Sequence, residues 1–259
     1  MQQTSETYRE LLATHHKIET RLAIGETGRL ITKSGDAITF GGTRILVAAG
    51  GPEGGFGENL LFSLETESGV FSEEQPGIGN CIAAQLHSVM QKPYGTIPRQ
   101  ARIVPYVRLA AGDTRSEWIQ KGVFYIDTRD ARNDGSSMEK IEIHAYDDML
   151  KAEQDYPSSK LKWPATDISV VREIADFMGV SVDPRTVAVM TDGYLLQMPT
   201  GYSCREVLGY IAAMYAGNFV MSDLGELLLL TINGIPAETR YLVTHTGAAI
   251  TFGGVRILV

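Results

Sequence analysis

The chain has 259 residues, 44% hydrophobic and 21% charged, and 31 Asp and Glu against 23 Lys and Arg give a formal net charge of −8. A chain this long buries roughly three quarters of its unfolded surface, enough for one large domain or two moderate ones, and two are expected. No window approaches the ~20 apolar residues that span a bilayer, the start MQQTSETYRELLATHH lacks a signal peptide's basic and apolar segments, and the acidic balance argues against phosphate contacts. The expectation is a protein made in a cytoplasm, with no membrane insertion and no specific nucleic-acid binding.

Residues 6–15 carry Tyr8, Leu11 and Leu12 at helical spacing behind the possible caps Thr4 and Ser5, which predicts a short helix. From Ile18 the period becomes two. Turn signals at 25–28, at Ser34-Gly35-Asp36 and at Gly41-Gly42 predict hairpins, the last joining 37–40 to 43–47. Residues 50–57 hold five glycines in eight positions and read as a flexible connection without a regular element.

Residues 58–145 give five strand candidates, 59–67, 81–90, 102–109, 117–128 and 138–145, an all-β module. In 102–109 the residues Ile103, Val107 and Leu109 share one face and Arg102 and Arg108 the other, so one side is buried. Ile141, Ile143 and Ala145 against Glu142 and His144 repeat the pattern. Pro105 cannot donate to a ladder, which predicts an edge strand or a bulge there.

After Tyr146 the pattern changes to helix at 147–154, then to a second helix at 167–178 with Gly179 as its C′ residue and Ile168, Val171, Ala175 and Met178 as its apolar stripe. Ser203-Cys204-Arg205-Glu206 is a capping box that opens a third helix, ending near Gly217. Strands at 219–221 and 226–232, joined by Ser222-Asp223-Leu224-Gly225, complete a small α+β domain.

The segment GDAITFGGTRILV at 35–47 recurs as GAAITFGGVRILV at 247–259, with eleven of thirteen positions identical; only Asp36/Ala248 and Thr43/Val255 differ. Leu30/Leu242 and Thr32/Thr244 extend the match backwards, so 241–259 copies 29–47. Either one hairpin is packed at two places in a single fold, or the second copy opens a further module.

Few residues have the spacing of chemistry. His15-His16 is the sole His pair, but it closes a short helix, where imidazoles screen exposed carbonyls. His144-Ala145-Tyr146-Asp147-Asp148 joins a strand to a helix, and its acids suit a helix start. Cys81 and Cys204 are isolated in apolar surroundings and read as free buried thiols. Cys204, at a helix N-terminus, is the least implausible nucleophile, although nothing supplies its base. Ser203 lacks the flanking glycines of a nucleophile elbow. Residues 50–57 lack the Lys-Ser or Lys-Thr ending of a phosphate loop. Asp127, Asp130 and Asp134 are irregularly spaced and read as a solvated turn instead of a calcium site. No catalytic, cofactor-binding or metal-ligating residue and no cofactor is expected.

Several runs resemble the baseplate hub, or tail-associated, proteins of long-tailed phages and of prophages in Gram-positive bacteria. They are Pro76-Gly77-Ile78-Gly79-Asn80-Cys81, Ile97-Pro98-Arg99, Pro105-Tyr106-Val107-Arg108 and the stretch SEWIQKGVFYIDTR at 116–129, with further likeness at 146–154 and 202–213. The resemblance implies a mainly β chain with an α+β part: a tail-tube-like β-barrel module followed by a small α+β domain, similar in fold to the contractile-phage hub. The implied organisation is 1–57 as helix, hairpins and linker, 58–146 as the barrel hub module, 147–240 as the α+β domain and 241–259 as the repeated hairpin. It further implies a non-enzymatic virion tail protein assembled in the bacterial host. Copies would form a homo-oligomeric ring, a trimer by the family pattern, meeting tail tube or distal tail proteins on one side and fibre or lysin subunits on the other. Two rival readings are a fragment of a tail-associated peptidoglycan hydrolase and a carbohydrate adhesin using Trp118, Trp163 and tyrosines as stacking platforms.

Overall fold

The computed structural model describes residues 4–25, 28–29, 39–40, 43–44, 46–47, 55–70, 77–92, 97–132, 139–191, 193–232, 251–252 and 255–256. Chain contacts divide it into two compact units: Met1–Gly69, Ile82–Glu153 and Met221–Glu226 form the first, and Val70–Cys81, Gln154–Val220 and Leu227–Val259 the second.

The first unit opens with α1 (Glu6–Leu12), capped by Ser5, whose side chain accepts from the Tyr8 N–H. It continues with β1 (Lys17–Ile24), β2 (Gly28–Arg29), β3 (Thr39–Phe40), β4 (Thr43–Arg44) and β5 (Leu46–Val47). Next come β6 (Phe56–Gly57) and β7 (Leu61–Glu67). After β8 (Cys81–Ile82), which pairs with the second unit's sheet, follow β9 (Gln85–Gln91), β10 (Arg102–Ala111), β11 (Thr114–Arg115), β12 (Ile119–Gln120), β13 (Phe124–Arg132) and β14 (Lys140–Tyr146). A 3-10 turn at Asp148–Glu153 ends this stretch of the unit, where a longer helical segment was expected.

One antiparallel sheet runs β6-β1-β10-β13-β14-β9-β7, with β11 and β12 added to β10. Leu22, Leu86, Met90, Ile103, Phe124, Ile126, Ile143 and Ala145 pack into one core from β1, β9, β10, β13 and β14, and Leu61 of β7 and Phe56 of β6 join it. The two end strands of this path are separated in sequence only by residues 58–60. The four steps from Gly57 to Leu61 reach at most about 14 Å, and the Leu60 N–H donates to the Gly57 carbonyl at 2.9 Å, so the sheet is rolled until its ends nearly meet. The expected barrel does not close. Among the described residues β6 pairs with β1 and β7 with β9, and no ladder joins β6 to β7. The two-residue β6 is too short to satisfy a seven-residue neighbour.

Other expectations shift for identifiable reasons. The run 81–90 breaks into β8 and β9, because at Ala84 the backbone leaves the ladder: its N–H donates to Asp147 Oδ2 at 2.9 Å and its carbonyl accepts from the Asp147 N–H at 3.1 Å. The run 117–128 breaks at residues 121–123, where Gly122 takes a φ of 118°. Pro105 lies in an interior strand, not at an edge. Its carbonyl accepts from the Lys121 N–H at 2.9 Å, and in a strand a residue's nitrogen points the same way as its carbonyl. Proline's missing donor therefore faces Lys121, just past the end of β12, where the ladder to β10 stops. Phe56–Gly57, read as flexible connection, instead pairs with β1 at Leu22 and Arg21.

The second unit contains β15 (Ala165–Thr166), α2 (Asp167–Met178), α3 (Pro184–Val189), β16 (Leu195–Leu196), α4 (Cys204–Met214), β17 (Gly217–Met221) and β18 (Leu227–Thr231). In α2 the buried stripe is Val170, Val171, Ile174, Ala175 and Met178, and Gly179 ends it in the left-handed conformation that only glycine adopts without strain. The predicted capping box of α4 is present in both halves: Ser203 Oγ accepts from the Glu206 N–H and Glu206 Oε2 from the Ser203 N–H. The helix ends at Met214, and β17 starts at Gly217, earlier than the sequence pattern placed it. Sheet β18-β17-β8 lies in this unit; Phe219, Leu227 and Leu229 of its strands are fully buried, as is Leu208 of α4. The repeated sequence forms the same two-strand hairpin twice: β3 with β4, and β19 (Thr251–Phe252) with β20 (Val255–Arg256), Phe40 facing Thr43 as Phe252 faces Val255.

Candidate functional site

The seam of the rolled sheet is the feature on which an assembly reading depends, and backbone geometry settles which groups face outward from it. The Gln91 N–H donates to the Leu60 carbonyl at 2.7 Å, toward β7, while the Ala84 carbonyl accepts from Asp147, beyond the end of β14. Alternation along β9 then turns the backbone groups of Gln85, His87 and Val89 toward β7. Their partners across the ladder, Glu67, Glu65 and Ser63, face back toward β9. The N–H and carbonyl groups of Leu64 and Thr66 therefore point to the open side. Phe62 forms a bulge where the register shifts between Leu61 and Ser63, and its ring carries the Lys140 ammonium at 4.6 Å. Bulges and charged side chains are how edge strands restrict indiscriminate pairing, and Glu65 and Glu67 make this edge acidic.

Near the β6 end of the sheet Glu19 and Arg108 face each other across β1 and β10 in a bond of 2.7 Å. The Arg108 guanidinium, chiefly through this hydrogen bond, holds the Glu19 carboxyl below its ordinary range. Trp118 is half-buried, with the guanidiniums of Arg108 and Arg21 at 4.3 and 5.0 Å from its ring. The surface that an adhesin would offer to a sugar is already engaged by protein cations. Trp163 is likewise half-buried.

The chemical candidates read from the sequence do not converge. Cys204 is fully buried, and burial foremost, then the Asp155 carboxylate, pushes its thiol up to about 11. That is opposite to what a nucleophile needs. Cys81 is also a buried free thiol, donating to the Arg205 carbonyl at 3.5 Å. Ser203 is occupied by its capping box. α1 stops at Leu12, so His15-His16 lie in the connection to β1 instead of closing the helix, and His16 Nδ1 is 2.8 Å from the Thr14 carbonyl. Asp147 is a tie: Oδ1 accepts from the Met149 N–H at 3.0 Å while Oδ2 holds Ala84. Asp127 and Asp130 are not in a turn. Asp127 lies at the β13 bulge and Asp130 pairs with Glu142, while Asp134 lies outside the described residues.

Two other groupings are more ordered. Burial alone would push the Glu173 carboxyl up, but the Tyr156 hydroxyl (2.5 Å), the Lys160 N–H (2.7 Å) and the Ser159 hydroxyl (2.8 Å) donate to it and hold it below its ordinary value. Burial first, and then this carboxylate, raises the Tyr156 hydroxyl. All three donors come from one segment, so Glu173 fastens residues 156–160 onto α2 beside a cavity of about 460 Å3. The second grouping, His87, Glu142 and His144, brings three metal-competent atoms within 4.8 Å of one another. Sequence reasoning placed Glu142 and His144 on one strand face but missed His87; the alternating pattern of 85–91 was the available signal, and the β9–β14 register supplies the rest.

These features define a rolled antiparallel sheet with an open seam and a separate α+β unit. No protein-family model and no curated protein sequence matches the chain. Among solved structures it is similar to the 43 kDa tail protein of prophage MuSo2 from Shewanella oneidensis, at 14% identity and a TM-score of 0.44 over 82% of this chain and 53% of that one. It is also similar to the tail protein from Neisseria meningitidis MC58, at 13% identity and a TM-score of 0.39 over 57% of this chain and 42% of that one. The chain spans about half the length of the first and less of the second.

Proposed function

We propose that this chain is a structural component of a phage or prophage tail, a subunit of a hub ring at the tail tip that continues the tail tube toward the distal baseplate. The observation that carries this reading is the seven-residue β7, which turns the backbone groups of Leu64 and Thr66 to the open side of the sheet. An exposed strand edge recruits another strand through main-chain hydrogen bonds, and repetition of that contact under rotational symmetry closes a ring. The hub-like runs at 76–81, 97–99, 105–108 and 116–129 support the same role, and two solved structures to which the chain is similar are tail proteins. Glu65 and Glu67 beside the seam select an incoming strand with neutral or basic side chains. Tail tube or distal tail proteins and fibre or lysin subunits are the further partners, with assembly in the host cytoplasm and a trimer as the ring.

The test is light scattering and electron microscopy of the purified chain at micromolar concentration, alongside Thr66→Pro. Proline at 66 deletes an outward donor and leaves the β7–β9 ladder intact, so circular dichroism stays unchanged while the ring dissociates. A wild-type chain that stays monomeric without rings, or a Thr66→Pro chain that assembles as well as wild type, overturns the reading.

A further inference from the structure

We propose that His87, Glu142 and His144 form a binding site for a divalent transition-metal ion of the zinc class on the exposed face of the first unit's sheet. The backbone puts them together. Glu142 and His144 stand two residues apart on β14 and so share a face, and the β9–β14 register sets His87 directly opposite His144. The two imidazoles stack with centroids 4.6 Å apart and planes 25° from parallel. Glu142 Oε1 lies 2.7 Å from His87 Nε2 and 3.9 Å from His144 Nε2.

A tetrahedral ion with bonds of about 2.0–2.2 Å holds its ligand atoms about 3.3 Å apart. The observed separations bracket that value, so small side-chain rotations bring all three atoms into range. The main chain beneath them is fixed, because Leu86, Ile143 and Ala145, which alternate with these residues, are fully or almost fully buried on the other face. The site is open to solvent, with side-chain exposures of 32% for His87, 30% for Glu142 and 48% for His144.

Two imidazole nitrogens and one carboxylate suit zinc, copper, nickel or cobalt, whereas magnesium and calcium require mostly oxygen ligands. Three protein ligands leave the fourth position for water. Glu65 faces His87 across β7 and β9 and lines the same hollow of about 500 Å3 with Tyr146. It is placed to accept a hydrogen bond from that water or from a ligand imidazole, the usual outer support of such a centre. Bound there, the ion would cross-link β9 to β14 one strand in from the open seam.

The test uses the full chain, stripped with a chelator and titrated with zinc chloride by calorimetry and with cobalt(II) by visible absorption. The expected result is one ion per chain, a cobalt spectrum typical of four-coordination, and no displacement by excess magnesium. His144→Ala and Glu142→Gln, both on the solvent-facing side of β14, weaken binding by at least about tenfold each. His15, His16 and His245 are the other histidines in the chain, and changing all three to alanine leaves binding intact. His87→Ala adds a third arm when its circular dichroism matches wild type. Absence of binding, binding unaffected by His144→Ala and Glu142→Gln, or binding lost in the triple variant each overturns the proposal.

Discussion

Asn218 is 1% exposed and its side chain makes three contacts, all to backbone: Oδ1 accepts from the Asn80 N–H at 2.8 Å, and Nδ2 donates to the carbonyls of Val70 and Gly77 at 2.7 and 2.8 Å. Because one partner is a donor and two are acceptors, the amide has a single orientation that satisfies them all. Asn218→Ala removes all three bonds at once and leaves one amide and two carbonyls to find water or go without. At about 1–2 kcal/mol for each stranded group, the loss is roughly 3–6 kcal/mol, a large part of the stability of an ordinary domain. Asn218→Asp is the sharper variant. It keeps the acceptor for Asn80 but sets a second oxygen against two carbonyls at hydrogen-bond distance, so it destabilises at least as much despite its matching shape. Urea unfolding followed by Trp163 fluorescence in a Trp118→Phe background reports on the second unit, in which Trp163 lies. If either variant unfolds within about 1 kcal/mol of its parent, the three contacts do not hold Val70, Gly77 and Asn80 in place and the reasoning fails.

Gly209→Ala sets two effects against each other. Alanine favours helix by about 1 kcal/mol, but its Cβ in α4 would lie 2.6 Å from the Gly79 carbonyl oxygen, and overpacking of that kind costs about 1–3 kcal/mol, so denaturation should show a net loss. Gly179→Ala is the complementary control: its Cβ meets nothing within 4 Å, and the φ of +75° alone should cost about 1 kcal/mol. Burial pushes the Asp183 carboxyl up, but the Arg185 side chain and N–H outweigh it and leave the group below its ordinary 3.8. A depressed folded value means its stabilisation is present above the unfolded value and lost as pH falls through the folded one. The stability gap between wild type and Asp183→Asn should therefore be open at pH 6 and narrow below about 3.8; a gap that widens on acidification refutes the assignment.

What the sequence disclosed was whatever a short window encodes. The Ser203–Glu206 box and the Gly179 terminus were legible because caps and left-handed glycines act within four residues. α3 announced itself equally locally, through the Asp183 cap and Pro184 at the first helical position, yet six residues are too few for an apolar stripe to draw attention. Strand existence was readable from alternation, but strand interruption was not: Asp147, sixty-three residues from Ala84, ends the run that began at Cys81. The His87, Glu142 and His144 cluster was hidden for the same reason, since it exists only in one register of β9 against β14. Closure of the sheet likewise depends on how much edge β6 offers, a matter of hydrogen-bond partners that composition does not carry.

Neither compact unit is a continuous stretch of polypeptide. The chain leaves the first after Gly69, re-enters it at Ile82, departs after Glu153 and visits once more for Met221–Glu226. No single cut therefore liberates a complete half, so gene fragments ending at any one boundary should give aggregation-prone products. During synthesis β1 must wait for β10 to leave the ribosome, and the last turn of the first unit emerges only after most of the second has been made. Such long-range pairing is slow to form, which exposes unmated strands for the whole interval and makes the nascent chain a customer for chaperones.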